Sequence, residues 1–523
     1  MEAQKATILA EFRKRMTRSV PWTRSMLQSL ERDEFRLTHV RRSGGPVWFV
    51  RVSPPHPLQE GCGLAPEVLI VAVDGEVQAR AIQEARNEVV HSGLRLDGNL
   101  VIVVDLNVHT LAQRLERIGG HGQRIAWGKS PDGTWPSLTE TLRNQLPEFD
   151  AFEERDAVRG AQLIGRDTEV SGLRTRVSRG DAVGLFGLRK MGKTSVMRAV
   201  TDWFDPASGL RDPLKDGSLT GAGVAVVIDA SVIIDRTVDA VADELCESLR
   251  RRMRAAGEGD LRGNLRGLSG WKVAGESLLD RDQRLCVVID EYDLLFEGEG
   301  GEETIPGIGR LFRLLRGWAQ TRQGYVSMIL VGRDPTYLSA PEIDGVTSPL
   351  TAWCTPTWLG PLSPTKAAEL LRKLGRRVGL DIGHKSTALA QQWTGGHPLL
   401  HRQFGSALRE VTRTQAAAWS APTDPFAAQV LDRFLEREAV LDVMREVVTL
   451  LQKRYPAALD ILAGLAHGAN WDDLVKAHGG ADTSPARTLH NFGLVTPDNT
   501  LPAVFRWYLD SVVNLGHSLR KTA

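Results

Sequence analysis

The stretch that decides the fold is GLFGLRKMGKTS, residues 184–195. Its fixed residues, Gly187, Gly192, Lys193 and Thr194, match the pattern G-x-x-x-x-G-K-[ST] at every position. An apolar run precedes the stretch and a helical pattern follows it, which is the strand–loop–helix context that this pattern requires. Glycines allow backbone N–H groups to wrap closely around phosphate oxygens, and the positive end of the following helix strengthens that field. The stretch therefore predicts a loop that binds the phosphates of a nucleotide.

The residues of this loop have expected roles at the phosphates. Lys193 would reach the β and γ phosphates of ATP, and Thr194 would be a ligand of Mg²⁺. We therefore expect ATP or ADP, together with Mg²⁺, as the bound groups. The loop residues predicted to contact the nucleotide are Gly187, Leu188, Arg189, Lys190, Met191, Gly192, Lys193, Thr194 and Ser195.

A second apolar run ends in carboxylates, in the stretch LCVVIDEYD at residues 285–293. Mg²⁺ needs oxygen ligands and an attacking water needs a base, so an acidic strand end is the expected complement of a phosphate loop. We assign Asp290 to the metal ion, through water, and Glu291 to the attacking water. Asp293 is expected to cap a helix or to lie at the surface. Together with Lys193, these carboxylates predict an ATPase.

The composition limits the remaining possibilities. The chain has 523 residues, 42% of them hydrophobic and 25% charged, which is typical of a soluble globular protein of about three or four domains. A formal net charge of +1 gives no overall attraction to nucleic acid or to an anionic membrane, so any such contact requires a local patch. The four cysteines lack metal-ligand spacing, and no apolar run is long enough to span a bilayer. We expect a cytoplasmic protein without membrane contact.

Residues 1–150 are expected to form a small α/β domain that acts as a sensor or an effector. A β-hairpin is predicted over residues 35–52, and two continuous apolar runs follow it, each succeeded by a stretch of helical periodicity. Continuous apolar strands that alternate with helices indicate a buried sheet.

A metal site is the sharper hypothesis for this domain. Asp74, Glu76 and Asp105 follow the ends of the two apolar runs, where carboxylates can bind a metal ion for a nuclease. A nuclease of the PD-(D/E)xK class also needs a lysine beside its carboxylates, and the sequence has none there. We therefore favour a sensor or docking domain over a nuclease.

From about residue 160 the chain resembles the STAND-type, or archaeal-type, P-loop ATPases of the AAA+ and origin-recognition lineage. LIGRDTEVSGL resembles their GRxxE motif, which implies that Gly165 and Arg166 lie beside the adenine. MILVGRDP resembles their fourth strand, which implies that Arg333 senses the γ-phosphate in catalysis. WTGGHPLL resembles the G-x-P motif of their helical lid, which places Pro398 near the base.

The resemblance also implies the order of the domains. A P-loop NTPase core with a parallel sheet is expected over residues 160–362, a helical lid over 363–420 and a winged helix over 426–523. Two strand-like runs around the Asp498–Asn499 turn, preceded by helices, favour the winged helix. The expected fold is therefore a multidomain α/β architecture.

In STAND proteins, bound ADP holds the lid and the winged helix closed, and exchange for ATP releases them. The resemblance implies such a switch here, with self-association on ATP binding and a role in antiviral defence or regulation. Two alternatives stay open: a DNA-binding AAA+ ATPase of the origin-recognition or transposition type, and an ATPase coupled to a nuclease in residues 1–150.

The charge of the predicted recognition helix bears on the choice between a switch and a DNA-binding ATPase. This helix offers Arg487 and His490 but also Asp482, and the preceding helix carries Asp472 and Asp473. A helix that reads DNA needs basic and polar side chains on the face that enters the groove. We therefore expect the winged helix to make intramolecular contacts or to bind protein, and DNA is not favoured as a partner.

Overall fold

The computed structural model describes residues 23–42, 47–73, 77–92, 96–104, 108–118, 123–130, 132–153, 157–158, 163–205, 223–255, 265–298, 301–414, 424–480 and 484–511. None of the helices in these segments is long and apolar enough to cross a membrane.

The N-terminal part of the chain forms one sheet. Its elements are α1 (Thr23–Arg32), β1 (Arg36–Arg42), β2 (Val47–Ser53), α2 (His56–Gly61), β3 (Glu67–Val73), α3 (Ala79–Ser92), β4 (Leu96–Val104), α4 (Val108–Ile118), β5 (Gln123–Ala126) and α5 (Leu138–Gln145). The five strands lie in the order β1-β2-β3-β4-β5. The β1–β2 and β2–β3 pairs are antiparallel, whereas β3–β4 and β4–β5 are parallel. The sequence pattern did not indicate β5, because four residues are too few to show a period.

Strand β3 explains why the apolar runs are continuous in this sheet. Val68, Ile70 and Ala72 lie in the hydrophobic cluster on one face, and Leu69 and Val71 lie in the cluster on the other. Successive side chains of a strand point to opposite faces, so a strand covered on both sides must be apolar at every position.

The phosphate-loop motif lies in a second sheet. Its elements are α6 (Asp167–Arg179), β6 (Ala182–Phe186), α7 (Lys193–Phe204), β7 (Gly223–Asp229), α8 (Val238–Ala255), α9 (Gly267–Asp280), β8 (Arg284–Asp290), β9 (Glu297–Gly298), β10 (Gly301–Glu302), α10 (Ile308–Thr321), β11 (Val326–Gly332), β12 (Glu342–Ile343), β13 (Val346–Thr347) and β14 (Cys354–Trp358). Five parallel strands lie in the order β14-β6-β11-β8-β7, and β9–β10 and β12–β13 are separate hairpins.

The register of the parallel sheet brings three chemically important loops to one edge. Phe186 at the end of β6 pairs with Gly332 at the end of β11, and Leu330 of β11 pairs with Ile289 of β8. The loops that follow β6, β8 and β11 therefore start side by side. The prediction of a parallel sheet that carries the phosphate loop is confirmed.

The remainder of the described chain is helical. Its elements are α11 (Pro364–Arg377), α12 (His384–Thr394), α13 (Pro398–Thr414), α14 (Asp424–Leu435), α15 (Glu438–Arg454), α16 (Pro456–Ala466), α17 (Trp471–Ala477), α18 (Ser484–Asn491) and a final helix, α19, over residues 503–511. The expected turn is present, because Asn499 has φ of 57° and its N–H donates to the Thr496 carbonyl at 2.9 Å. The two strands expected around that turn are not formed in residues 484–511, where α19 follows the turn instead.

The chain divides into two units. The first contains residues 1–164, 364–389 and 401–434, and the second contains residues 165–363, 390–400 and 435–523. Most of the expected lid, and α14 after it, thus belongs to the unit of the N-terminal sheet, and the helices from α15 onward belong to the unit of the phosphate loop. The four domain boundaries expected from sequence stay a prediction.

Candidate nucleotide-binding site

The phosphate loop connects β6 to α7, and its conformation depends on glycine at two positions. The Gly187 N–H donates to the Arg333 carbonyl at 3.1 Å, and a Cβ at Gly187 would lie 2.6 Å from the Leu359 carbonyl oxygen. Gly192 has φ of 92° and immediately precedes α7. These are conformations and approaches that only glycine accepts without strain. The loop is therefore held in shape by its backbone, as phosphate binding requires.

The Lys193 ammonium lies inside the loop. Its Nζ donates to the Gly187 carbonyl at 2.8 Å and to the Leu188 carbonyl at 2.9 Å, and the residue is 9% exposed. Burial lowers the pKa of Lys193, whereas the charges of Glu291 and the neighbouring aspartates raise it. A desolvated ammonium interacts with a phosphate more strongly than one in water. In this structure the Lys193 ammonium is thus held by two carbonyls of its own loop.

The other loop residues divide by exposure. Leu188 and Met191 are buried and anchor the loop in the core, and Ser195 is buried in the first turn of α7. Arg189 and Lys190 are exposed, and Lys190 has φ of 60°. A positive φ is uncommon for a residue with a long side chain. It indicates a backbone set by the loop and not by the residue's own preference.

Thr194 and Asp290 connect the two predicted motifs. The Thr194 hydroxyl donates to Asp290 Oδ2 at 3.0 Å, and Asp290 Oδ1 accepts the Glu291 N–H at 3.0 Å. Burial raises the pKa of Asp290, although the Thr194 hydrogen bond opposes that effect. A hydroxyl and a carboxylate oxygen in contact are the hard oxygen donors that Mg²⁺ prefers. The residues present therefore fit a magnesium ion bound with a nucleotide.

Glu291 has a backbone conformation that its residue type disfavours. Its φ is 51° and its ψ is 41°, in the left-handed region, and its side chain is partly exposed at the end of β8. Such conformations cost about 1–3 kcal/mol and persist where the surrounding structure holds them. The structure around Glu291 therefore holds its backbone in this conformation.

Asp293 is not the surface or capping carboxylate that the sequence suggested. It is 0% exposed, and its Oδ2 accepts the Arg333 N–H at 2.8 Å. Burial raises the pKa of Asp293 to about 7, and the hydrogen bond from Arg333 acts in the opposite direction. The side chain thus connects the loop after β8 to the loop after β11. Sequence alone could not show this link, because it joins residues 40 positions apart.

The Arg333 guanidinium is bound to a carboxylate that sequence reasoning missed. Its Nη2 donates to Glu297 Oε2 at 2.6 Å, and Arg333 is located directly after β11 as expected. Glu297 lies in a short hairpin after the acidic motif, where no residue pattern indicates a functional role. The expected γ-phosphate sensor is therefore held by a residue of the same unit.

Arg166 is a buried residue that donates a hydrogen bond to the phosphate loop. It is 3% exposed, and its Nη2 donates to the Met191 carbonyl at 3.0 Å and to the Gly360 carbonyl at 2.7 Å. Its Nη1 donates to Glu169 at 2.9 Å, and Gly165 before it has φ of 79°. Burial lowers the pKa of Arg166. These contacts give it a structural role at the loop, and its expected position beside the adenine stays a prediction.

The Gly-Gly-His-Pro motif also lies beside the phosphate loop. The Gly396 carbonyl accepts the Leu362 N–H at 2.9 Å, and Pro398 is the first residue of α13. His397 is 3% exposed. Burial lowers its pKa to about 4, with smaller contributions of the same sign from Arg166 and Lys193. His397 is therefore a neutral ring at physiological pH, close to the cations of the site.

Helix α15 contributes two further residues that sequence reasoning did not identify. Glu446 Oε1 lies 3.5 Å from Arg189 Nε of the phosphate loop, and Arg454 Nη1 lies 3.2 Å from Asp334 Oδ2, next to Arg333. Residues 446 and 454 are separated by eight positions and so lie on one face of a helix. In the sequence, only this spacing pointed to the two residues. A spacing shows that two residues share a helix face, but it does not show what that face contacts.

The candidate metal ligands of the N-terminal domain were Asp74, Glu76 and Asp105, and all three lie outside the described residues.

The densest basic run of the sequence, on α8, is paired with acidic residues. Arg251 Nη2 donates to Glu244 at 2.7 Å, and the partners of the other arginines of the run, Arg250, Arg252 and Arg254, are Glu247, Asp205 and Glu247. This run is therefore an ion-paired helix surface.

Solved structures of several archaeal proteins are similar to part of this chain. A Walker-type ATPase of Pyrococcus abyssi is 20% identical, with a TM-score of 0.46 over 69% of this chain and 99% of that one. The ORC2 protein of Aeropyrum pernix in complexes with ADPNP and ADP is 14% identical, with a TM-score of 0.43 over 71% and 98%. The ORC1 protein of Aeropyrum pernix in complex with DNA is 16% identical, with a TM-score of 0.34 over 70% and 97%.

No protein-family model and no curated protein matches this chain. The names of the similar structures agree with the origin-recognition part of the expected resemblance, and the STAND part is not confirmed. TM-scores below 0.5 do not establish membership of a family. What the chain does is therefore argued from its own residues.

Proposed function

We propose that this chain is an ATPase that binds Mg²⁺·ATP at the loop between β6 and α7. The observation that carries the proposal is the hydrogen bond between Thr194 and Asp290, 3.0 Å long, which joins the phosphate loop to the acidic strand end. A glycine-rich turn alone has many structural uses. Here the turn carries a buried lysine, and the threonine that follows it is hydrogen-bonded to a carboxylate at the end of a strand. These are the groups that phosphoryl transfer needs.

Each residue has a defined part in this proposal. The loop N–H groups and Lys193 would bind the β and γ phosphates. Thr194 and, through water, Asp290 would hold Mg²⁺, which would supply positive charge to the phosphate oxygens. Glu291 accepts the proton of the attacking water as general base. Arg333, once released from Glu297, senses the γ-phosphate. Gly165, Arg166 and Pro398 are proposed to border the nucleotide base.

The proposal is tested by nucleotide affinity. Lys193→Ala should weaken ATP binding by about a hundredfold or more, because each charge-assisted hydrogen bond to a phosphate contributes about 1.5–3 kcal/mol. Lys272→Ala, on an exposed turn of α9, is the matched control and should bind normally. Affinity for a fluorescent ATP analogue would be measured by titration. Equal affinities in the two variants would refute the site.

What the ATPase acts on is a separate proposal, and a DNA-binding AAA+ ATPase is the candidate to test first. Two of the similar structures, ORC1 of Aeropyrum pernix and ORC of Drosophila, are complexes with DNA. They do not support the expectation that DNA is not favoured as a partner. Helices α17 and α18 both pack on α16, and the proposal takes these three helices as a helix-turn-helix. Arg487 and His490 are exposed on α18, and the His490 ring contacts Trp471 of α17.

Duplex DNA binding can be tested by fluorescence anisotropy at several salt concentrations. The double variant Arg487→Ala/His490→Ala should lose about tenfold in affinity if α18 enters a groove. Arg506→Ala on α19, which is also exposed, is the control and should retain affinity. If the wild-type chain does not bind DNA, the remaining candidate is the function first expected from the sequence. That function is a switch that acts on protein and self-associates on ATP binding.

A further inference from the structure

Arg454, the last residue of α15, connects the C-terminal helices to the loops around Arg333. Its Nη1 lies 3.2 Å from Asp334 Oδ2, and its Nη2 donates to Tyr337 Oη at 3.1 Å and to Glu297 Oε1. The guanidinium also lies over the Tyr337 ring, 5.4 Å from its centre. One side chain of α15 therefore touches both the hairpin after the acidic motif and the loop after β11.

Glu297 is shared by two arginines. Its Oε2 accepts from Arg333 Nη2 at 2.6 Å, while its Oε1 accepts from Arg454. The side chains are 18% exposed for Glu297, 29% for Arg333 and 21% for Arg454. A partly desolvated carboxylate between two guanidinium groups divides its charge between them. The strength with which Glu297 holds Arg333 therefore depends on Arg454.

The surrounding charges fit this arrangement. Burial lowers the pKa of Arg454, but Asp334 and Glu297 outweigh burial and raise it overall. The pKa of Arg333 is also raised, because Glu297 and Asp293 outweigh its burial, while the like charge of Arg454 opposes them. Both arginines are thus charged and share Glu297 as an acidic partner, and the charge of Arg454 acts against that of Arg333.

We propose that Arg454 is a positioning residue that controls, through Glu297, whether Arg333 is available to the γ-phosphate. This inference rests on the proposed ATPase function. Glu297 and the γ-phosphate are anions that compete for one guanidinium, and Arg454 offers Glu297 a second partner. The α15 helix thereby affects the discrimination between ATP and ADP without touching the nucleotide.

The variants Arg454→Ala and Glu297→Gln should change the preference for ATP over ADP in opposite directions. Arg454→Ala leaves Glu297 with Arg333 alone, so Arg333 is held more tightly and the preference for ATP over ADP falls. Glu297→Gln removes the competing charge, so Arg333 is released and the preference for ATP rises. The double variant should behave like Glu297→Gln, because the proposed effect of Arg454 on Arg333 passes through Glu297. A purely structural role would instead reduce binding of both nucleotides in both single variants.

The experiment measures the ratio of ATP to ADP dissociation constants for the full chain and these variants. Each single change should be about fivefold, the lower end of typical coupling between sites. Arg445→Ala, an exposed arginine of α15 that pairs with Asp442, is the matched control and should leave the ratio unchanged. Arg454→Lys keeps the charge but has one donor group in place of a fork, so its ratio should lie between wild type and Arg454→Ala.

The outcomes separate this inference from the function on which it rests. Opposite shifts in the single variants, with the double variant matching Glu297→Gln, support it. Shifts of the same sign, or an Arg454→Ala ratio equal to that of Arg445→Ala, overturn the role of Arg454 and leave the ATPase proposal standing. A wild-type chain that binds neither nucleotide overturns the proposed function and this inference together.

Discussion

The Glu446 carboxylate lies 3.5 Å from the Arg189 guanidinium, so an acidic side chain of α15 faces the loop proposed to bind phosphates. Burial raises the pKa of Glu446, whereas Arg189, Lys193 and Arg333 lower it. The same three cations are assigned to the nucleotide. Glu446 therefore acts on the electrostatics of the site although it lies outside the sequence motif of the phosphate loop.

Removal of the Glu446 charge should strengthen ATP binding more than ADP binding. The Glu446→Gln change removes an anion near the terminal phosphate, where ATP carries the additional charge. We expect ATP affinity to rise about twofold to fivefold, because a partly exposed ion pair contributes up to about 1 kcal/mol. Titration at low and high salt measures the effect, which should shrink as salt screens it. Glu438→Gln at the exposed start of the same helix should change nothing, and an equal effect there would contradict the prediction.

Glu291→Gln should separate binding from hydrolysis. The amide cannot accept the proton of the attacking water, so turnover should fall by about a hundredfold or more while ATP affinity is kept. Phosphate release measured beside nucleotide affinity checks both quantities. Normal turnover would place the general base elsewhere.

The structure also explains how far the sequence could predict this site. The sequence could single out Lys193, Thr194 and Asp290 because the pattern of each motif is local, and the structure brings Thr194 and Asp290 together. Asp293, Glu297 and Arg454 could not be assigned, because their contacts cross between loops and helices that only the fold brings together.

The same reasoning applies to the fold. Continuous apolar runs indicated β3, β4, β6 and β8, since a strand buried on both faces is apolar throughout. The two strands of the winged helix were predicted from two short apolar runs. In runs of this length, the spacing of apolar residues does not distinguish a strand from a helix. In the structure the second of these runs begins α19 and packs there through Val504 and Phe505, which are both buried.

The raised pKa of Asp293 predicts a pH dependence of stability. Its pKa in the folded state is about 7, chiefly because of burial, and about 3.9 in an unfolded chain. Between these values the folded state binds more protons, so the Asp293 contribution to the free energy of unfolding falls as pH rises. Asp334 and Glu297 raise the pKa further, and Arg333 opposes them.

Asp293→Asn should remove this dependence. The stability of wild type relative to the variant should be highest at and below about pH 4 and should decrease as the pH rises to about 7. Urea unfolding followed at several pH values measures the difference. A difference that is constant, or that grows with pH, would show that Asp293 is ionised in the folded state throughout.

The first unit contains a buried ion pair that should be essential to its stability. Arg377 of α11 donates to Asp97 of β4 and, at 3.1 Å, to the Gly63 carbonyl, and the two side chains are 5% and 0% exposed. Loss of one partner of a buried pair typically costs about 3–5 kcal/mol, because the remaining charge loses its main compensation. Arg377→Met should therefore reduce amide-hydrogen protection in β4 and α11. Arg376→Met, the exposed neighbour on the same helix, should not. The double variant Arg377→Met/Asp97→Asn should recover part of the protection, since it removes both charges. Equal protection in the Arg376 and Arg377 variants would mean that this pair does not hold α11 to the N-terminal sheet.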